Sequence, residues 1–156
     1  MARTFTNIHT AEWTEGLDRR GERWKSIDLS GEHLGVRIEE LPPGGASSVH
    51  HFHTLEEEHV IMLEGSAVLV LGDEEHALGA GDHVWFAAGK AQPHHLENRS
   101  QQSVRLLVFG ERVAGDTVFY PEHRVMLVKS AGDRLFTYRD YRLPGKGEAA
   151  MPADSD

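Results

Sequence analysis

Apolar residues in this chain come in short runs of about five to eight residues, alternating in part with polar ones and ending in glycine, proline or aspartate. Six such runs read as strands, over residues 36–41, 58–64, 67–71, 83–86, 94–98 and 104–109. The segments between them carry turn chemistry: Pro42-Pro43-Gly44-Gly45, Gly72-Asp73-Glu74, Gly79-Ala80-Gly81-Asp82 and Ala88-Gly89-Lys90. No convincing amphipathic helix interrupts them, so the pattern predicts an all-β antiparallel sandwich or barrel without internal repeats. Three later apolar pieces, at 118–120, 125–128 and 135–138, read as added strands. Residues 1–33, with Trp13, Trp24 and Ile27, form an N-terminal arm that either packs along the outside or pairs as an edge strand. The barrel itself is expected over 34–142. Residues 143–156, rich in Pro, Gly, Ala and Asp, are expected to be a mobile tail.

Alternation also sorts the chemistry. Residues i and i+2 of a strand share a face, so His51 and His53 point together while Phe52 points away. In the next strand Glu58 begins a face continued by Val60, Met62 and Glu64, with His59, Ile61 and Leu63 on the other, which makes Glu58 a better ligand than Glu56 or Glu57. Later, His94, Leu96 and Asn98 line one face, and a hairpin-rich fold could bring His94 opposite the His51/His53 pair. Three imidazoles, one carboxylate and one or two open positions make a divalent-metal site.

Composition narrows this further. A chain of 156 residues suits one domain with a real core. The formal charge of -9 and the scattering of Lys and Arg argue against nucleic acid. With no cysteine, disulfides and thiolate ligands are excluded, leaving imidazole and carboxylate as the strong donors. No signal-peptide core or membrane-spanning run is apparent, so a cytoplasmic protein is expected.

Each element also has a plainer explanation. Eleven histidines make an isolated H-x-H weak, and Glu56-Glu57-Glu58 alone reads as a charged turn. Together, framed by Gly45 and Gly65, they are much harder to obtain by accident. His94 and His95 face opposite ways, so only one can join the cluster. His50, His59, His76 and His83 are expected at the surface or an interface, and His123 is given no role.

The whole pattern resembles the cupin superfamily. Gly45, His51, His53, Glu58 and Gly65 stand at every fixed position of its first motif, G(X)5HXH(X)3-4E(X)6G. The second motif, G(X)5PXG(X)2H(X)3N, is matched with departures: Gly81 and Gly89 are present, Ala87 replaces the proline, and Gln92 stands at the strict position of the histidine. Two extra residues precede His94, and the spacing from His94 to Asn98 restores the motif's end. Either the loop is longer and His94 is the fourth ligand, or the register is strict and Gln92 stands there. Segments 34–44, 94–100 and 110–121 further resemble small bacterial single-domain cupins.

The resemblance implies a cupin-type antiparallel β-barrel (a double-stranded β-helix or jelly roll, RmlC-like), with a metal near one mouth and substrate entering along an apolar lumen. Val60, Met62, Trp85, Phe86 and Phe109 are candidates for that lumen, and ordinary core is the competing role for each. Homodimerisation through sheet edges is also implied. The metal ligands would be His51, His53, Glu58 and His94, with Mn or Fe as the expected ion and Zn or Ni also accepted. Asn98 reads as a residue supporting the ligands or a turn. Three functions stay open: a metal-dependent enzyme on a small oxygen-rich or carboxylate substrate (dioxygenase, isomerase, lyase or decarboxylase), a non-catalytic binding or sensing module, or an empty barrel with solvated histidines. Metal loading is expected to weaken below about pH 6, where free imidazole protonates.

Overall fold

The computed structural model describes residues 5–17, 23–129 and 135–139, and their regular structure is thirteen strands and one 3-10 turn, Pro121–His123. The strands are β1 (Thr14–Leu17), β2 (Arg23–Asp28), β3 (Leu34–Leu41), β4 (Phe52–His53), β5 (Glu58–Glu64), β6 (Ser66–Leu71), β7 (Glu74–Gly79), β8 (His83–Phe86), β9 (His94–Glu97), β10 (Val104–Glu111), β11 (Thr117–Tyr120), β12 (Val125–Lys129) and β13 (Leu135–Arg139). All pairings are antiparallel. The all-β expectation holds, but the closed barrel does not. The strands form three open sheets, ordered β1-β2-β3-β10-β5-β8, β13-β12-β11-β4 and β7-β6-β9.

The reason lies in the segment carrying the histidines. A barrel needs a continuous ladder around its circumference. Here β4 is two residues long and pairs fully only with β11. Toward β9 the same stretch makes only the isolated bridges Ala46↔Glu97 and His51↔His94. Edges therefore remain on β8, β7 and β9.

The core lies where the six-stranded and three-stranded sheets meet. Leu41, Val60, Met62, Phe86, Val104, Leu106 and Val108 come from the first, and Ala67, Leu69 and Leu96 from the second. In β5 the buried residues are Val60 and Met62 and Leu63 is exposed, as the alternation requires, while Glu64, on the inward face, meets solvent at the strand's end. Phe86 is buried in this core, but Trp85, its neighbour on β8, points outward and is 56% exposed. Phe109 likewise stacks on His59 rather than joining the core cluster. Strand β7 was not apparent in the sequence because its residues, Leu78 apart, are polar or exposed; its full-length pairing with β6 creates it.

Two glycines shape the site's surroundings. Gly65, at φ 82, makes the tight turn from β5 to β6, in a backbone region that disfavours side chains. Gly110 of β10 lies opposite Glu58, and a Cβ there would come within 2.5 Å of the Glu57 carbonyl oxygen. Its bare backbone lets the start of β5 come close. Of the N-terminal segment, β2 pairs with β3 and buries Ile27, and the Arg105 guanidinium lies over the Trp13 ring at 5.6 Å. The tail expected over 143–156 lies outside the described residues. Among the described residues, no helix is long and apolar enough to cross a membrane.

Candidate metal centre

The alternation in His51-Phe52-His53 separates packing from chemistry. Phe52 is buried and stacks on Phe119 of β11, with ring centroids 5.0 Å apart. This anchors the segment and presents both imidazoles on the other side, their centroids 5.2 Å apart. Glu58, opening β5, completes a trio whose ligand atoms all lie within 4.8 Å of one another. His94 stands outside that trio but beside it, its ring 4.9 Å from that of His51 and stacked on Phe86 at 3.5 Å.

The hydrogen bonds decide which nitrogen each ring offers. His51 Nδ1 donates to the Val49 carbonyl oxygen at 2.8 Å, and His94 Nδ1 to the Gln92 carbonyl oxygen at 3.2 Å. A carbonyl can only accept, so both rings carry their proton on Nδ1. His53 Nδ1 lies 2.7 Å from Oδ2 of Asp116. In all three rings Nδ1 is engaged, which leaves Nε2 to act as a ligand. The Nε2 of His94 is buried without a hydrogen-bond partner among the described residues.

The carboxylates divide in the same way. Glu56 is buried, accepts the Val113 N–H at 2.8 Å and is engaged by the Lys129 ammonium. Glu57 accepts from the Trp85 indole N–H at 3.1 Å. Glu58 accepts no hydrogen bond from the described residues. A divalent cation fits this donor set: one uncommitted carboxylate, imidazoles with unprotonated Nε2, and one such nitrogen buried with nothing else to bind.

Electrostatics favour neutral rings. Burial pushes His51 down to about 3, with repulsion from His53 adding to it. His94 is also pushed to about 3, first by burial and then by His51. The expectation of solvated histidines does not describe these two, which are 7% and 4% exposed. Burial alone would raise the Asp116 carboxyl. The hydrogen bonds from His53 and the Leu55 N–H, with the nearby Lys129 charge, instead hold it below the usual carboxylate range.

Two cavities meet at this cluster. A cleft of about 460 Å³ opens onto His51, His53 and Glu58 and has Arg37, Tyr120 and Lys129 among its walls. A smaller cavity of about 90 Å³ reaches His53, Glu58 and His94 from the side of Phe86 and Gln92.

The structure thus draws together all four residues singled out from the sequence, three in a tight trio and His94 at its flank. Asn98 does not reach them. Its amide donates to the carbonyls of Leu41 and Gln102 and accepts from Ser100, so it builds the turn after β9. His50, expected at the surface or an interface, is 8% exposed within the chain itself and bonded to Glu122. Sequence reasoning missed Asp116, Lys129 and Tyr120, whose ring stacks on His51 at 5.8 Å. Asp116 sits in a Gly-Asp-Thr turn before β11, but nothing local says that β11 will pair with β4.

Comparison with known proteins agrees with this fold. Residues 37–110 match the model of the cupin domain. A sugar phosphate isomerase of the cupin superfamily from Silicibacter pomeroyi superposes with a TM-score of 0.75 at 26% identity, covering 95% of this chain and 96% of that one. A proposed sugar phosphate isomerase from Acidithiobacillus ferrooxidans gives 0.79 at 24% identity, covering 88% and 92%. A predicted oxalate decarboxylase from Thermotoga maritima gives 0.62 at 19%, covering 70% of this chain and all (100%) of that one. No curated protein matches the chain significantly. With a cupin-domain match over residues 37–110, the segment that carries the histidines, and a cupin-superfamily structure superposing over most of its length, the chain belongs to the cupin superfamily.

Proposed function

We propose that the chain is a metal-dependent enzyme acting on a small oxygen-rich substrate, with His51, His53, Glu58 and His94 as ligands of one divalent ion, Mn or Fe in preference to Zn or Ni. The observation that carries this reading is the shared orientation of three imidazoles, each engaged through Nδ1 and each with Nε2 left to bind. The likeness to sugar phosphate isomerase structures favours isomerisation of a polyhydroxylated substrate over the other reactions this donor set supports. A bound ion would supply Lewis-acid polarisation of a substrate oxygen.

The protein's own groups do the rest. The larger cleft is of a size suited to a small metabolite. Arg37, held by Glu39 through Nε, brings guanidinium N–H groups to its wall and can orient a substrate oxygen or anionic group. Phe86, stacked on His94, keeps one side of the centre apolar and limits water there.

Elemental analysis of untagged protein tests the metal, with close to one ion per chain expected and none in a His51→Ala/His53→Ala variant. Turnover is tested by incubating Mn-loaded protein with a panel of aldose and ketose phosphates and following their interconversion. Ion retention by the double variant would remove the metal assignment. Saturable binding of these compounds without turnover would make the protein a binding module instead.

A further inference from the structure

Beside the proposed centre lies a second group of close ligand-type atoms, His53, Glu56 and Asp116. Its cation position is already taken. The Lys129 ammonium lies between the two carboxylates, in contact with Glu56 and 3.1 Å from Oδ2 of Asp116. Lys129 is tied in place by its backbone as well, its N–H donating to the Asp116 carbonyl at 2.8 Å and its carbonyl accepting from Gly115 at 2.6 Å. An ion entering here would have to displace a tethered ammonium from a fully buried carboxylate.

Asp116 is 0% exposed and accepts at both oxygens. Oδ1 takes the backbone N–H groups of Thr54 and Leu55 at 3.1 and 2.9 Å and the Thr54 hydroxyl at 3.3 Å. Oδ2 faces His53 Nδ1 at 2.7 Å and Lys129. The carboxylate is thereby locked to the backbone immediately after His53 and cannot rotate away from the ring. We infer that Asp116 is a positioning residue: with Lys129 occupying the second cluster, it fixes His53 as the Nδ1–H tautomer and aims Nε2 at His51 and Glu58, so the chain holds one ion and not two.

This inference rests on the metal-centre reading but is testable apart from it. The tautomer can be read in metal-free wild-type protein by long-range ¹H–¹⁵N NMR of the histidine rings. His53 is expected to show a protonated, slowly exchanging Nδ1 and a bare Nε2; a protonated Nε2 with bare Nδ1 would overturn the inference. Titration with Co(II) should saturate at one equivalent, and a second equivalent that vanishes in a Glu56→Gln variant would overturn it too. Asp116→Asn, which keeps an acceptor but removes the charge, should weaken Co(II) binding by about 10- to 100-fold, and affinity within twofold of wild type would count against the role. Failure of the parent reading looks different: wild-type protein would then take up no Co(II) at this cluster whatever the His53 tautomer.

Discussion

His51 and His94 exchange both backbone hydrogen bonds across an otherwise isolated bridge, His94 N–H to the His51 carbonyl at 2.9 Å and His51 N–H to the His94 carbonyl at 3.3 Å. Residues paired this way project side chains to the same face. That single bridge sets their rings 4.9 Å apart, although 43 positions separate them in the chain. It also bears on the two-residue departure before His94. Gln92 is beside the site, but the atom it offers His94 is its backbone carbonyl oxygen.

The two alternatives for the fourth ligand therefore separate by substitution. His94→Ala should reduce ion affinity by more than 100-fold, beyond the roughly 10- to 100-fold typical of losing a supporting hydrogen bond. Gln92→Ala keeps the carbonyl and should leave affinity within about threefold. Competition titration with a chromophoric chelator measures both, and the reverse order would assign the ligand to Gln92.

The buried imidazoles make the metal-free protein acid-sensitive. In the fold His51 and His94 stay neutral to about pH 3, whereas the unfolded chain protonates them below 6.5. Unfolding thus takes up protons between these values. Stability is full above pH 6.5 and falls as the pH drops toward 3, by up to about 1.4 kcal/mol per unit for each ring. Urea unfolding of metal-free protein at pH 7.5, 6 and 5 should show this decline, and a His94→Leu variant should show a shallower one. A flat profile would contradict neutral buried rings.

Gly110 should tolerate no side chain. The Cβ of Gly110→Ala would sit 2.5 Å from the Glu57 carbonyl oxygen, so β10 or the start of β5 must move. A loss of about 1–3 kcal/mol is expected from overpacking of this kind. Because Glu58 is its register partner, ion affinity should fall along with the melting temperature. A variant as stable as wild type would show that the two strands are free to separate.

Asn98→Ala offers the opposite dissociation. Its buried amide donates to the Leu41 and Gln102 carbonyls, and removing it takes a donor from each, at a cost of about 1–3 kcal/mol. Ion affinity of the folded fraction should be unchanged, since Asn98 bonds none of the four candidate ligands. Calorimetric unfolding and chelator competition on the same sample check both halves of this expectation.

Much of this was legible in the chain. The faces of β5 follow from strict alternation, and Val60 and Met62 are inward while Leu63 is exposed. The pairing of His51 with His53 follows from the same rule. Glu58 could be preferred over its neighbours, although the fuller reason, that Glu56 and Glu57 are engaged by Lys129 and Trp85, is tertiary. Alternation also misled where it was not applied: Trp85 and Phe86 are adjacent, so only one could face the core.

By itself the sequence determined the strand-rich class, most strand positions, the turns and the residue types able to hold a metal, because side-chain periodicity and turn chemistry act over a few residues. Only the tertiary structure decided that the sheets stay open, that His50 is buried, and that Asp116 and Lys129 close on His53 and Glu56 from 63 and 73 residues away. Those outcomes depend on which distant strands pair and in what register. That choice is set by the summed packing and hydrogen bonding of the whole chain, which no local window contains.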